Sequence, residues 1–402
     1  MTFEGLVLGI FHPKMENHIK KDKRINKSFA YPLDRELKEF CKYVKKKLLK
    51  HVKFKQHYNA FYDKNDIIDV LTHSALTNSC LESASKTIKD SVKRQKPSAD
   101  SVLRYIAKFD QEEILTMFQR TFGYTFKVAR KLGVFKRPVD IAIDFHDMHY
   151  YGDENDNYVV EGKPDRGTFH YFRFITLAIV IKGRRFTIRA KPVHKIDFRE
   201  RLIEEFLNYA TVKFKIRNVY LDAGFFDNKI IKLLNNFGLK YIIRAQANKK
   251  IKKLTNRKKE LPIVMPYFLA EKAHTRLVVV KLRKKKSAKK GETRVYFMTN
   301  LTVTEIDYET IDLLYRRRWS IETSYRVKKH SLRIRTTSKN HIIRCFLFMF
   351  TTTLYNLWYL ANIIVGWKIQ RNWIVPFIAA KIFISKLLHI YVPPLKLSGG
   401  YG

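Results

Sequence analysis

The residues of this chain whose types and spacing could do chemistry begin with two aspartates. Asp144 follows the apolar run Val139-Asp140-Ile141-Ala142-Ile143, and Asp222 follows Asn218-Val219-Tyr220-Leu221, immediately before Ala223-Gly224. Each reads as a carboxylate at the C-terminal end of a buried strand. If those strands are neighbours, both acids face one crevice at the sheet edge where open sheets bind ligands. Two close carboxylates repel unless a proton or cation sits between them, and hard oxygen donors favour Mg²⁺ or Mn²⁺. Taken alone, the pair reads first as turn formers and helix caps. Asp140 and Asp147 are alternatives for the first position. Asp144 is preferred because it shares the parity of Ala142 and leaves Val139, Ile141 and Ile143 on the opposite face.

A third element changes this balance. Tyr315, Arg318, Glu322 and Lys329 fall within an arc of roughly 60° on a helix turning about 100° per residue, in a line about 20 Å long. A solvated ion-pair face would not require the tyrosine and would alternate its charges. Here Glu322 stands nearly alone among Arg316, Arg317, Arg318, Arg326, Lys328 and Lys329, as suits a metal ligand surrounded by phosphate grips. His146, Asp147 and His149 crowd close behind Asp144. Adjacent positions on an emerging loop point in different directions, which disfavours zinc.

The elements that must position these residues follow from periodicity. Up to about residue 135 the pattern is helical, over Asp34–Leu49, Ile67–Glu82 and Ser98–Arg130, with Pro97-Ser98-Ala99-Asp100 as an N-terminal signal. These short basic helices could hold a helix-turn-helix reader of DNA or form a structural cap. From Val139 the texture turns to strands: 139–144, 171–182 and 185–193, the last two joined at Gly183 and Arg184. A helix over 198–210, a strand at 218–222, a helix capped by Asp227 and ended by Gly238, and a strand at 240–244 complete a mixed sheet. Two lysine-rich stretches, Lys249–Lys259 and Lys281–Lys290, flank a β-rich insertion and read as DNA-backbone contacts or as solvated loops. Asp307–Lys329 reads as one long helix, followed by apolar helical material from about residue 341.

Composition bounds the partner. Among 402 residues, 79 are Lys or Arg and 37 Asp or Glu, a formal charge of +42, yet 46% are hydrophobic. That apolar content excludes a disordered basic tail. A folded body with so much positive charge points to a polyanion, nucleic acid first and an anionic membrane second. Three cysteines without a Cys-x-x-Cys pair leave no disulfide framework or zinc ribbon. The N-terminus does not fit a secretory signal, so a cytoplasmic, nucleoid-associated protein is expected. Residues 345–367 carry no formal charge and are long enough to span a bilayer. Their threonines and asparagines favour a buried core helix over a membrane span.

On these residues the chain resembles the DDE transposases of bacterial and archaeal insertion sequences, in the group with the Tyr-(2)-Arg-(3)-Glu-(6)-Lys signature. Tyr315, Arg318, Glu322 and Lys329 match every spacing, Trp319 and Ile321 resemble the same helix, and Asp222-Ala223-Gly224-Phe225-Phe226 resembles the second-aspartate motif. The resemblance covers about residues 135–335. It implies an α/β fold with a ribonuclease H-like mixed-sheet catalytic core (136–245 and, with the Glu-bearing helix, 301–340). It also implies a β-rich insertion (246–300), a helical N-terminal DNA-binding region (1–135) and a helical C-terminal region (341–402). Asp144, Asp222 and Glu322 would be the catalytic and metal-binding triad, holding two Mg²⁺ or Mn²⁺ ions. Tyr315, Arg318, Arg326 and Lys329 would bind DNA. The implied activity is metal-dependent cleavage at terminal inverted repeats and strand transfer into target DNA, carried out by a synaptic homodimer on double-stranded DNA, with no membrane partner. In one departure, relatives that form a DNA hairpin stack a base on a Trp in the insertion, but the four Trp here are 319, 358, 367 and 373. Tyr296 or Phe297 would have to stand in. The alternatives are a catalytically inactive, transposase-derived DNA-binding protein and a membrane-associated basic protein.

Overall fold

Along β1 (Val139–His149), residues 139 to 144 are all buried, so this strand is covered on both faces and belongs at the centre of a sheet. The computed structural model describes residues 30–88, 95–133, 135, 138–181, 184–258, 260–269, 274–281, 294–369 and 378–389. The chain divides into two compact units, Met1–Glu36 and Leu37–Gly402. Of the first, only residues 30–36 are described, and they are helical.

Among the described residues nine strands make one mixed sheet. The others are β2 (Val159–Asp165), β3 (Thr168–Ile181), β4 (Arg184–Pro192), β5 (Ile216–Leu221), β6 (Tyr241–Ala245), β7 (Ile263–Phe268), β8 (His274–Lys281) and β9 (Arg294–Thr299). The order is β2-β3-β1-β5-β6-β9-β8-β7, with β4 also paired to β3. β1, β5 and β6 are parallel to one another, while β3 and β9 run antiparallel to their neighbours. The fourteen-residue β3 pairs with β1 along one edge and shares its other edge between β2 and β4. The strands at 263–299 continue the same sheet beyond β6. Gly183, expected in the turn between β3 and β4, lies outside the described residues, as does most of the run from Lys281 to Lys290.

The helical region before the sheet comprises α1 (Ala30–Tyr43), α2 (Lys64–Thr77), α3 (Leu81–Thr87), α4 (Ala99–Ala107) and α5 (Gln111–Lys131). The expected helix from Ser98 is two helices. Ser98 caps α4 and Asp110 restarts the chain with a capping box to Glu113. Likewise Asn78, in the left-handed conformation, ends α2 before α3. Beyond β4 come α6 (Arg199–Lys213) and α7 (Asn228–Asn236), the latter capped by Asp227 and followed by Gly238 at φ 62°. The lysine run from 249 is not a loop: Asn248 caps the short helix α8 (Lys249–Thr255), whose Ile251 is buried.

The expected single helix from Asp307 to Lys329 is corrected by the structure. A 3₁₀ turn at Tyr308–Thr310 leads into α9 (Ile311–Tyr315), a second 3₁₀ turn takes up Arg316–Arg318, and α10 (Trp319–Ser331) follows. The turn tightens where consecutive arginines reach for separate carboxylates. α11 (His341–Ile369) and α12 (Ala380–His389) close the chain. Residues 343 to 362 of α11 are buried all round, and its polar groups bond within the protein. Asn356 accepts from Thr187 N–H at 3.1 Å and donates to Thr187 O at 2.8 Å, and Asn362 accepts from Ile378 N–H at 2.8 Å. Among the described residues no helix is long and apolar enough to cross a membrane.

Candidate active site

The site is built on two adjacent parallel strands. Ile141 pairs with Val219 and Ala142 with Tyr220. Two residues further along each chain stand Asp144 and Asp222, so both acids arrive at one level of strands about 4.8 Å apart. Ala142 and Tyr220 pack with Ile311 and Tyr315 in one buried cluster, which places the helical segment from 311 on the face that carries Asp144. β1 does not end at Asp144 as the sequence suggested. Its pairing with β5 ends at Ala142, but its pairing with β3 continues to His149.

Asp144 is buried. One oxygen accepts from the Phe145 N–H at 2.9 Å and the other from Arg318 Nη1 at 3.1 Å. Asp222 opens a 3₁₀ turn over Ala223–Phe225, with its Oδ1 accepting from the Gly224 N–H at 2.9 Å. Glycine fits here because a Cβ at 224 would stand 3.1 Å from that oxygen. The buried Tyr315 hydroxyl donates to Leu221 O at 3.1 Å, which fixes the chain just before Asp222. Burial raises the Tyr315 phenol well above its ordinary range. The Arg318 guanidinium lies 5.3 Å from the Tyr315 ring centre, as expected of residues three apart in a 3₁₀ turn, where such side chains eclipse.

One cavity is lined by Asp222, Arg244, Arg294, Tyr296, Tyr315 and Arg318. Tyr296 reaches it from β9, where it pairs with Ala245 of β6. The backbone of Glu322 lies in the first turn of α10; its side chain, like those of Trp319 and Ile321, is not among those described. Arg326 is exposed on α10 and Lys329 is half-buried. Lys329 lines a second cavity, with His146, Lys328 and Phe348.

The other acids of β1 have structural partners. Asp140 is fully buried and accepts from Arg217 Nε and Nη2 at 2.8 and 2.7 Å, and from Arg317 Nη1 at 2.6 Å. Asp147 accepts two bonds from Arg173 at 2.7 and 2.8 Å, and His149 meets Asp165 at 2.8 Å. His146 stacks between Tyr325 and Phe348. Burial, with Lys328 and Lys329 nearby, pulls its imidazole down to about 3. The three side chains that raised the zinc reading thus diverge. The Arg317–Asp140 tie is a buried contact beside the site that spacing alone does not reveal. Its sequence signal is the run of three arginines, whose guanidiniums need counterions when they pack against a sheet.

Asp144 and Asp222 form an all-carboxylate donor set at one level, which fits a hard divalent cation. Arg318 is the positive charge that meets Asp144 in this structure.

Comparison with curated protein sequences returns no match. A structural comparison finds similarity to the cryo-EM structure of a piggyBac transposase synaptic complex with hairpin DNA, over 90% of this chain and 77% of that chain. The TM-score is 0.53 and the identity 13%, so the likeness is one of fold. It accords with a ribonuclease H-like core in the mixed sheet. The family model described as the transposase DDE domain matches residues 136–357, which takes in β1 through most of α11. With more than half of its length inside that match, the chain belongs to the transposase DDE domain family.

Proposed function

We propose that this protein is a cut-and-paste DNA transposase of the insertion-sequence group with the Tyr-Arg-Glu-Lys signature, acting in the cytoplasm on nucleoid DNA. Asp144, Asp222 and Glu322 would hold two Mg²⁺ or Mn²⁺ ions; the family generally uses divalent metals. When bound, such a pair activates the attacking oxygen and stabilises the leaving oxygen of an in-line displacement at phosphorus. Water cleaves the phosphodiester at the terminal inverted repeat and frees a 3′-hydroxyl. That hydroxyl then attacks a phosphodiester of the target at the same carboxylates, so the phosphorus exchanges one oxygen ester for another and no covalent protein intermediate forms.

The protein's own groups hold the DNA for both steps. Arg318 balances charge at Asp144 and, with Arg244 and Arg294, makes the cavity beside Asp222 receptive to phosphate. Tyr315 steadies Leu221 with its hydroxyl while its ring lines the cavity. Tyr296 offers an aromatic face for an unstacked base. Arg326 and Lys329 grip the backbone further along α10. Two copies would bring the two element ends together, and the similar structure, a synaptic complex with hairpin DNA, supports that reading.

The observation that carries the proposal is the matched register of Asp144 and Asp222 on β1 and β5 in a chain of this family. The test supplies the protein with DNA spanning the gene's own flanks. Mg²⁺-dependent nicks at imperfect inverted repeats, followed by joining of the 3′ ends to a plasmid, are expected. Binding without cleavage under any divalent ion would leave only a DNA-binding relative.

A further inference from the structure

The second cavity, between the outer half of β1 and the C-terminal half of α10, brings Lys328, Lys329, Arg333 and Arg344 against Met148 and Phe348. Lys328 is 4% exposed and Arg344 5%. The Lys328 ammonium lies 3.3 Å from Thr352 Oγ1 and sits over the Tyr325 and Phe348 rings at 4.5 and 5.0 Å. Arg344 donates from Nε to Ser338 O at 2.6 Å, with its guanidinium over Tyr150 and Phe172. Among the described residues no carboxylate forms an ion pair with any of these four cations. Asp147, the one acid in the lining, is already clasped by Arg173.

Buried cations without a counterion are costly, and aromatic faces offset only part of that cost. Burial pulls the Lys328 ammonium down to about 7 and lowers Arg333 and Arg344 as well. An arrangement of this kind is completed by an anion. The apolar wall of Met148 and Phe348 adds that the anion carries an organic part.

Position identifies it further. His146, on the cavity wall, lies two residues beyond Asp144, roughly 7 Å along the strand. Lys328 lies six residues beyond Glu322, about 9 Å along the helix. Duplex DNA advances about 3.4 Å per nucleotide along each strand. We propose that this cavity is a nucleotide site that takes one backbone phosphate of the DNA about two steps from the reacting phosphorus, with the attached nucleoside against Met148 and Phe348. The inference rests on the DNA transposase reading but names a separate binding element, in which Lys328, Arg333 and Arg344 join Lys329.

The test titrates the full-length protein, without divalent metal, with thymidine 5′-monophosphate, inorganic phosphate and thymidine by calorimetry. The monophosphate is expected to bind most tightly. Lys328→Met and the exposed-site variant Arg333→Gln should each weaken it by about tenfold. Equal binding of phosphate and thymidine monophosphate would overturn the nucleotide assignment, and so would thymidine monophosphate binding indifferent to both Lys328→Met and Arg333→Gln. Because Arg333→Gln alters an exposed residue, it tests the site without disturbing buried packing. Metal-dependent cleavage by a protein that binds no thymidine monophosphate would sink this inference while leaving the catalytic reading intact.

Discussion

Arg318 and Asp144 form an ion pair of 3.1 Å whose side chains are 7% and 10% exposed. Breaking a pair so withdrawn from water costs about 3–5 kcal/mol. Arg318→Gln should therefore lower the melting temperature by several degrees. On the proposed mechanism it should also reduce strand cleavage by about a hundredfold or more, because it removes the charge balance at Asp144 and the proposed phosphate contact in the adjoining cavity. Thermal melting and a cleavage assay on the same preparation check both effects. Arg318→Lys should recover more of the stability than of the activity, since an ammonium lacks the guanidinium fork.

Asp140 ties the sheet to the turn that leads into α10. Its carboxylate meets Arg217 of β5 and Arg317, the neighbour of Arg318. Asp140→Asn preserves shape but removes the buried charge that Arg217 and Arg317 share, so a loss of about 3 kcal/mol or more in stability is expected. As a positioning residue, Asp140 should also affect turnover more than DNA affinity. Urea unfolding and a comparison of turnover with DNA affinity check this. Unchanged turnover at a temperature where the variant is fully folded would show that Arg317 does not steady the helix that carries Glu322.

Lys328 gives a pH dependence with a definite sign. Its pKa falls from 10.5 to about 7 in the fold, through burial. Between those two values the unfolded chain binds one more proton than the folded one, so stability rises with pH across that window. Below about 7 both states are protonated and the full cost of burying the charge remains. Lys328→Met removes this titration. Its stability advantage over the wild type should be greatest below neutrality and shrink as pH approaches 10.5, as thermal melts across that range will show.

Asn356 joins α11 to β4 through both backbone groups of Thr187. Asn356→Leu leaves a buried N–H and a buried C=O without partners, each at about 1–3 kcal/mol. A marked loss of stability is expected even though the substitution makes the helix more apolar. A more stable Asn356→Leu protein would count against the buried packing of α11.

Much of this fold is legible in the sequence because the central strands are apolar runs bounded by turn residues. Residues 139–144, 218–222 and 240–244 lie in β1, β5 and β6 or at their ends, and Ser98, Asp227 and Gly238 mark helix ends through local chemistry that needs no tertiary context. β2, Val-Val-Glu-Gly-Lys-Pro-Asp, escapes such a reading. It is a half-exposed edge strand with no apolar run, held by pairing to β3. β7 contains Pro266, which is tolerated because β7 closes the far edge of the sheet. The break in the helical segment from 311 at Arg316–Arg318 is illegible for a different reason: the carboxylates that shape it, Asp140 and Asp144, lie more than 170 residues earlier. Periodicity assumes an uninterrupted helix and carries no record of such partners. The acidic pair itself was legible as two strand ends, but only the pairing of Ala142 with Tyr220 puts them at one level.

Asp144, Asp222 and Glu322 are proposed to act together on one phosphodiester. The most direct measurement is Mg²⁺-dependent cleavage of element-end DNA by Asp144→Ala, Asp222→Ala and Glu322→Ala, with DNA binding measured on the same proteins. The account predicts that each substitution abolishes cleavage while end binding stays within a few-fold of wild type. Cleavage by the Glu322→Ala protein at the wild-type rate would contradict it.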